Sequence, residues 1–359
     1  MKREKSSAVL AHSRASDVVS SDIAGIPTDD DFTTRATELQ QEIDGRFAPK
    51  RSDAERLSAV YTEIHRRIQA PSYWRRAELV GQCGTYLEYR MTEQESRLHH
   101  ANFCRDRLCP LCTWRRSLKI YAQISRVMDV LQTQGYVFLF LTLTIRNRPG
   151  GDLPDAVQTL FDGWRQMYHE NRIFRKTICG TFRSLEVTRN QDTGEYHPHL
   201  HVILAVRPDY FAGRNYLTKA RWKAMWRECA ALDYDPQVDI RRIKPRIGVG
   251  GTPDLSGAVA EVSKYAVKSA DYLGGDMDEM VAYVSDYLMA LAGRRLCGFT
   301  GVFGRVRREL ALDDVEDGDL VHVDGGGIRE DVAYMIVKYH WRAGVYVREI
   351  AGGSGVPEA

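Results

Sequence analysis

Three histidines at alternate positions of one segment have a spacing that predicts chemistry. The segment HPHLH contains His197, His199 and His201, and alternate side chains of a β-strand leave the same face of the sheet. Neutral imidazoles are good metal ligands, and two of them about 7 Å apart along a strand can converge on one ion. Glu186, in the preceding segment SLEVT, is the acidic residue that a hairpin would bring beside them. We therefore expect His199, His201 and Glu186 to bind a metal with positions left open for a phosphate oxygen.

A second set of reactive groups recurs at helical spacing. In EVSKYAVKSADYL, the positions i, i+4, i+7 and i+11 are occupied by Glu261, Tyr265, Lys268 and Tyr272. This spacing predicts one stripe of a helix. A phenol can attack phosphorus, a carboxylate can take a proton from water, and an ammonium can hold phosphate charge. The stripe therefore predicts phosphodiester transfer to tyrosine, and Tyr272 leaves open an exchange that uses two tyrosines.

The cysteines indicate a second metal site. Of the seven cysteines, three lie within nine residues, at Cys104, Cys109 and Cys112. In a chain whose start lacks a secretory signal, such clustering favours metal ligands over disulfides. A closed structural zinc site needs a fourth ligand. We favour Cys83, because the Cys-Gly of QCGTY resembles the tight turn of a zinc ribbon, while His99 and His100 are the alternatives.

The elements that must position these groups alternate two periodicities. Apolar or alternating runs predict strands at 136–145, 180–190, 197–206 and 238–243, and helical spacing predicts helices at 153–174, 217–232 and 255–273. The order β-α-β-β-α-β predicts an α+β fold with a ferredoxin-like antiparallel sheet and helices on one face.

We divide the chain into four parts. Residues 1–52 are polar without sustained periodicity, which predicts a disordered segment. A helical and cysteine-rich zinc-binding module is expected over 53–117, a catalytic domain over 118–275, and a C-terminal extension over 276–359. The extension includes the acidic stretch 313–331, which we expect to be a solvated loop, and a strand pair within 331–350.

Composition excludes some classes of protein and favours others. No apolar run reaches the roughly 18 residues of a membrane helix, so we expect a cytoplasmic protein with no membrane partner. The 50 Lys and Arg residues nearly balance 48 Asp and Glu residues, but the acidic stretch leaves the remainder basic, which favours nucleic acid as a partner. The basic side chains that we expect to contact DNA are Arg115, Arg116, Lys119, Arg241, Arg242 and Lys264.

Four motifs in order resemble those of one protein family. They are CRDRLCPLCTWRRSLK (104–119), FLTLT (140–144), HPHLHV (197–202) and EVSKYAVKSADY (261–272). The set is similar to that of the HUH endonucleases, and more narrowly to the single-tyrosine initiators of bacterial rolling-circle plasmids, the family Rep_1. The resemblance covers roughly residues 80–305. It assigns no catalytic role to FLTLT.

The resemblance implies a fold, an activity and residue roles. The fold is the HUH endonuclease core, and Tyr265 matches the nucleophile that nicks the plus origin, leaving a 5′-phosphotyrosine. His199 and His201 match the ligands of Mg²⁺ or Mn²⁺. Glu261 matches the acid that activates water for termination, and Lys268 matches a lysine that contacts or orients phosphate.

The resemblance also implies partners and leaves alternatives open. The origin would be cleaved as a single strand or an extruded hairpin in the bacterial cytoplasm, with a host helicase, a host polymerase and self-association at the origin. One alternative is a transposase or relaxase of the same superfamily that uses Tyr265, with Tyr272 as a second nucleophile. Another is a non-catalytic, zinc-dependent DNA-binding regulator.

Overall fold

The structure is a computed structural model that describes residues 29–92, 94–212, 216–244, 246–247, 253–264, 267–323 and 334–355. Residues 1–28, the first part of the segment expected to be disordered, lie outside the described residues, as does Tyr265. In the described part of the chain, no helix is both long enough and apolar enough to cross a membrane.

Helices and strands follow one another along the described chain. The helices are α1 (Asp29–Arg46), α2 (Ala48–Ile68), α3 (Pro71–Gln82), α4 (Pro110–Thr133), α5 (Leu153–His169), α6 (Arg172–Thr177), α7 (Lys219–Cys229), α8 (Ser256–Val262), α9 (Met277–Leu291) and α10 (Gly301–Glu309). The strands are β1 (Tyr86–Met91), β2 (Ser96–Ala101), β3 (Val137–Thr144), β4 (Gly180–Arg189), β5 (Tyr196–Val206), β6 (Val238–Arg242), β7 (Arg246–Ile247), β8 (Pro253–Asp254), β9 (Cys297–Thr300), β10 (Tyr334–Arg342) and β11 (Val345–Gly355). The four strands that the sequence predicts between 136 and 243 are confirmed as β3, β4, β5 and β6.

A central antiparallel sheet has the order β6-β3-β5-β4-β9. Its middle strand β5 is apolar and buried along most of its length, because a central strand is covered on both faces. The β4–β5 hairpin pairs Glu186 with His199 and Ser184 with His201, and β3 pairs Thr142 with His201. Directly paired residues point to the same side of a sheet. These side chains therefore share one surface, which we call the histidine face.

Helices cover both faces of this sheet. On the face opposite the histidines, the Arg183 guanidinium of β4 lies 4.6 Å from the ring centroid of Phe161 in α5. On the histidine face, Phe303 of α10 packs against Phe138 of β3 with ring centroids 6.1 Å apart. The expectation of helices on one face is wrong, because the strands carry apolar side chains on both faces away from the histidines.

A second antiparallel sheet joins early and late parts of the chain. Its order is β11-β10-β1-β2, and β10 pairs with β1 from Tyr86 opposite His340 to Met91 opposite Met335. In addition, β9 extends the central sheet, and α9 packs against α2 and α5. The elements after residue 275 therefore do not form a separate extension. Helix α4 also runs across the expected boundary at residue 117.

The described residues 29–52 are helical, although we expected disorder. In α1, Ala36, Leu39 and Ile43 are buried, and Phe47 follows them into the core. This apolar stripe is narrow, and the residues around it are polar. The low mean hydropathy of the segment therefore concealed the helical periodicity.

Three buried cations of α4 hold the acidic segment in place. Arg115 is 8% exposed, Arg116 2% and Lys119 3%. They donate mainly to backbone carbonyls and to one carboxylate of residues 313–321. The acceptors are Leu320 O and Val321 O for Arg115, Glu316 O for Arg116, and Asp313 Oδ2 and Asp319 O for Lys119.

Two expectations are corrected by these contacts. Arg115, Arg116 and Lys119 do not form a DNA-binding surface, because they are buried against the protein's own backbone. The described part of the acidic stretch is not a solvated loop, since Glu316 and Leu320 are buried. Counting charges along the chain cannot distinguish a basic surface from basic residues that bind a buried segment.

We predict that Arg116→Met lowers the free energy of unfolding by about 2–4 kcal/mol, because the carbonyls of Glu316, Asp106 and Arg105 all lose a donor. Urea denaturation measures this change. Arg126→Met, at an exposed position of the same helix, is the matched control and should leave the stability nearly unchanged. Equal stability of both variants would contradict the role assigned to Arg116.

Candidate functional site

Glu186, His199 and His201 converge on the histidine face. His201 Nε2 lies 2.9 Å from Glu186 Oε2, His199 Nε2 lies 3.4 Å from the same oxygen, and the two Nε2 atoms are 3.1 Å apart. Ligand atoms at about 2.1 Å from a divalent ion, set at right angles, are roughly 3 Å from one another. All three side chains are buried and form a candidate metal-binding group. The structure thus brings together the three ligands that the sequence predicts.

Hydrogen bonds at Nδ1 orient both imidazoles. His199 Nδ1 lies 3.1 Å from the His197 carbonyl oxygen, which only accepts, so Nδ1 donates and Nε2 is the nitrogen that would offer a lone pair to a metal ion. His201 Nδ1 lies 3.2 Å from Thr142 Oγ1. Such outer contacts fix the orientation of metal ligands. Thr142 was missed as a site residue, although strand alternation in FLTLT places it on the histidine face.

The charge of Glu186 is stabilised by its neighbours. Burial opposes its ionisation, but hydrogen bonds and positive charge from His199 and His201 hold the pKa of this carboxyl well below its usual range. Lys268 adds a cation, with Nζ 3.5 Å from Glu186 Oε1. Glu186 is therefore a carboxylate, which is the form that binds a cation.

Glu261 lies at the solvent-facing rim of this cluster. Its Oε1 is 3.9 Å from His201 Nε2, and its Oε2 accepts a hydrogen bond from Lys264 Nζ at 2.7 Å. The Glu261 side chain is 36% exposed. It is therefore within reach of water beside the candidate metal ligands, while Lys264, a predicted DNA contact, is paired with Glu261.

The prediction of a helix over 255–273 is wrong beyond Val262, where α8 ends. The Ser263 hydroxyl bonds back to the Val259 carbonyl, a contact by which serine competes with the helical backbone. Residues 269–271 form a separate 3₁₀ turn. Lys268 therefore approaches Glu186 from a turn and not from a helical stripe. The position of Tyr265 stays a prediction.

Tyr272 is buried and is not placed to attack a substrate. It is 1% exposed, its hydroxyl donates to the Leu108 carbonyl, and its ring centroid lies 5.9 Å from that of Tyr287. Burial raises the pKa of Tyr272 well above its usual range. The structure therefore gives no support to Tyr272 as a second nucleophile.

The four cysteines form the second candidate metal-binding group. Their sulfurs are separated by 3.6 Å between Cys83 and Cys112, 3.7 Å between Cys104 and Cys112, and 3.5 Å between Cys109 and Cys83. Four sulfurs about 2.3 Å from a tetrahedral zinc are about 3.8 Å apart. Cys83, and neither His99 nor His100, is grouped with the three clustered cysteines.

Local structure prepares these sulfurs to carry negative charge. Cys109 precedes the first residue of α4, and Cys112 lies in its first turn, near the positive end of the helix dipole. Backbone amides of residues 104, 105 and 106 point to sulfurs of the group at 3.2–3.4 Å. Burial disfavours the thiolate of Cys112, but hydrogen bonds from the other three cysteines lower the pKa of this thiol. The pKa of Cys104 is raised by hydrogen bonds from the other cysteines. Against a lowering hydrogen bond from Cys104, the pKa of Cys83 is raised by Cys109, Cys112 and burial, so without a metal Cys112 is the sulfur that carries the charge.

Two predicted DNA contacts remain on the surface of the edge strand β6. Arg241 and Arg242 are exposed. The Arg241 guanidinium lies 4.7 Å from the ring centroid of Phe140, and that of Arg242 lies 4.5 Å from the centroid of Phe211. Both charges are accessible to a phosphate backbone.

Comparison with known proteins shows extended similarity. The family model Rep_1, described as "Replication protein", matches residues 95–347. A "Protein rep" of Bacillus amyloliquefaciens is 35% identical over 313 residues, which cover 82% of this chain and 91% of the relative. A "Protein rep" of Streptococcus pneumoniae serotype 2 is 39% identical over 251 residues, covering 68% and 75%. A "Replication protein" of Staphylococcus aureus is 30% identical over 238 residues, covering 65% and 98%. No solved structure matches the chain.

Two groups of converging ligand side chains in an α+β chain define a candidate metalloprotein. The family match, over more than half of the chain, shows that the protein belongs to the Rep_1 family of plasmid replication proteins. The resemblance inferred from the four motifs is therefore confirmed, and a role in replication implies interaction with DNA.

We predict a graded loss of Mn²⁺ affinity on the histidine face. Thr142→Val, which removes the contact to His201 Nδ1, should weaken binding by roughly 10–100-fold, and His201→Ala should weaken it further. Isothermal titration calorimetry gives both values. Thr144→Val is the matched control, because its hydroxyl bonds to the Gln237 carbonyl and not to a ligand. An unchanged affinity in His201→Ala would exclude this cluster as the Mn²⁺ site.

We predict that the purified protein contains zinc held by the four cysteines. Cys112→Ser should lose the metal and unfold at a lower temperature, because folding energy is supplied by the ion. Elemental analysis and thermal unfolding measure the two effects. Cys229→Ser, at an isolated and partly buried cysteine, should keep both metal and stability, so equal zinc loss in both variants would count against the assignment.

Proposed function

We propose that this protein initiates rolling-circle replication of a plasmid by nicking one strand of the plus origin. The observation that carries the proposal is the Glu186, His199 and His201 cluster, with Glu261 and Lys268 at its rim. The family resemblance assigns His199, His201, Glu261 and Lys268 to phosphodiester chemistry, and strand pairing predicts Glu186 as the third metal ligand. Here they lie within one small region of the histidine face.

We assign the central sheet to the ferredoxin-like core of the HUH endonucleases. The unit β3-α5-β4-β5-α7-β6 has the spatial strand order fourth, first, third, second, with all neighbours antiparallel. This order supports the assignment, since a split βαβ arrangement places its first and third strands in the middle. The histidines then lie on a central strand, which is the most rigid part of the sheet.

Tyr265 is the proposed nucleophile. In the sequence it lies between Lys264 and Lys268, whose ammonium groups reach Glu261 and Glu186. In the proposed step the phenol loses its proton, and its oxygen forms a bond to phosphorus. The bond from phosphorus to the 3′ oxygen breaks, and that oxygen takes up a proton. The product is a 5′-phosphotyrosine and a free 3′-hydroxyl for a polymerase.

We propose a separate role for each residue around the phosphate. Glu186, His199 and His201 would hold Mg²⁺ or Mn²⁺, which supplies positive charge to polarise the phosphate. Lys268, with its side chain 56% exposed, is free to contact a phosphate oxygen. Glu261 has the exposure and the position to accept a proton from water, which is the role required for termination.

Self-association at the origin, a host helicase, a host polymerase and the bacterial cytoplasm stay predictions. The buried Tyr272 makes a two-tyrosine transposase less suitable as an account of this chain. A non-catalytic regulator would need the cysteine group and the basic surface but no nucleophile. The following experiment distinguishes the proposed nickase from the non-catalytic regulator.

We predict that wild type with Mn²⁺ nicks supercoiled DNA of its own plasmid and becomes attached to the 5′ end, and that Tyr265→Phe does neither. A denaturing gel shows both results, with EDTA as the metal-free control. Tyr272→Phe should still nick, and should lose only about 1 kcal/mol of stability with its hydrogen bond. If wild type binds this DNA without cutting it under any divalent ion, the regulator replaces the nickase.

A further inference from the structure

A basic and aromatic pocket lies on the sheet face opposite the histidines. Its volume is about 430 Å³, within the usual range for a small-ligand site. Among its described lining residues there is no carboxylate. The arginines are Arg165, Arg183, Arg294 and Arg295, and the aromatic residues include Phe161, Trp164 and Tyr168.

Arg183 lines this pocket and has a donor without a partner. Its Nη1 is buried and has no hydrogen-bond partner among the described residues, and its Nη2 lies 3.5 Å from the Arg295 carbonyl oxygen. The Nε atom of Arg294 is likewise buried without a partner in the described chain. A buried guanidinium without an acceptor is costly. Arg165 and Arg295 are paired with Asp162 and Asp314, whereas Arg183 and Arg294 have no carboxylate partner among the described residues, so their charge is available to an anion bound in the pocket.

Gly298 keeps the space beside Arg183 open. It is the cross-strand partner of Arg183 on the edge strand β9. A glycine inside a strand weakens it and often marks a place where a ligand approaches the backbone. A Cβ at Gly298 would lie 3.9 Å from Arg183 Nε, which is ordinary contact, so alanine fits while a longer side chain would occupy the pocket.

The aromatic wall supplies a stacking surface. Trp164 and Tyr168 are stacked, with ring centroids 6.3 Å apart and 30° between planes. Trp164 is buried, whereas Tyr168 is partly exposed. The exposed part of Tyr168, beside His169 in the pocket lining, is the surface on which a flat base would stack. Arginine charge next to exposed aromatic rings is the combination that binds unpaired nucleotides.

We propose that this pocket binds a nucleotide unit of single-stranded DNA, with its phosphate at Arg183 and its base against the aromatic wall. Arg183 and Glu186 are three residues apart on β4 and leave opposite faces of the sheet. The pocket is therefore separate from the candidate metal site, and the strand would pass the edge strand β9 to reach both. The proposal rests on DNA as the ligand of this protein but not on cleavage.

The test measures fluorescence anisotropy of an oligothymidylate of about 12 nucleotides and of an abasic strand of the same length with the full chain, as purified and without added Mg²⁺ or Mn²⁺. Wild type should bind oligothymidylate at least about fivefold more tightly than the abasic strand, because a stacked base contributes that much. Gly298→Leu should abolish this preference, and Gly298→Ala should keep it. Thermal unfolding of both variants confirms that they are folded.

The phosphate contact is tested through salt dependence. Arg183→Gln should reduce the slope of log affinity against log salt by about 0.7, whereas Arg66→Gln, at an exposed arginine paired with Glu63, should not. A base preference that persists in folded Gly298→Leu would overturn the proposal, as would equal binding of both strands by wild type. Displacement of oligothymidylate by an equal concentration of thymidine monophosphate would show a site for free nucleotides and would overturn it too.

The binding assay and the nicking assay test the two proposals independently. The binding assay contains no added Mg²⁺ or Mn²⁺ and does not depend on Tyr265. Loss of nicking with an intact base preference would contradict the proposed function alone. Intact nicking without a base preference would contradict only the pocket assignment.

Discussion

The register of the β4–β5 hairpin is the constraint on which the rest of the site depends. Glu186 faces His199 across this pair, and His201 faces Thr142 across the next. A slip of one residue would move every one of these side chains to the opposite face. The apolar side chains that alternate with the histidines fill the core beneath α5 and α7, so hydrophobic burial fixes the register. The candidate metal ligands are therefore held at ligand spacing by packing on the other side of the sheet.

A second constraint links the cysteine group to the segment that carries the proposed nucleophile. The Tyr272 hydroxyl donates to the Leu108 carbonyl, between the second and third cysteines of the group. Arg189 of β4 donates to the Asp271 carbonyl from the opposite side. Residues 267–273 are thus fixed at both the cysteine group and the central sheet. A structural ion in the cysteine group would influence the geometry of the histidine face without contacting any substrate.

Much of the sheet and the two ligand groups could be predicted from the sequence, because strand alternation and cysteine spacing are local patterns. The predictions that were wrong concerned features that depend on tertiary contacts. Helical spacing continued past Val262, but a serine hydroxyl and the turn after it ended the helix. The charge of Arg116 suggested a DNA contact, yet it donates to the backbone carbonyl of Glu316, 200 residues away, and to two nearer backbone carbonyls. The helix at Asp29–Arg46 had too narrow an apolar stripe to stand out.

The pairing of Tyr86 with His340 in the second sheet has a consequence for synthesis of the chain. A ribosome that adds about 5–20 residues per second needs on the order of 10–50 s to make the chain between these two partners. During that interval β1 has its neighbour β2 on one edge and an unfilled edge on the other. Cotranslational folding of the cysteine-rich end therefore stays incomplete until β10 has been synthesised. A truncated product of an interrupted message would expose that edge to aggregation or to chaperones, which gives the cell a physical means to remove incomplete chains.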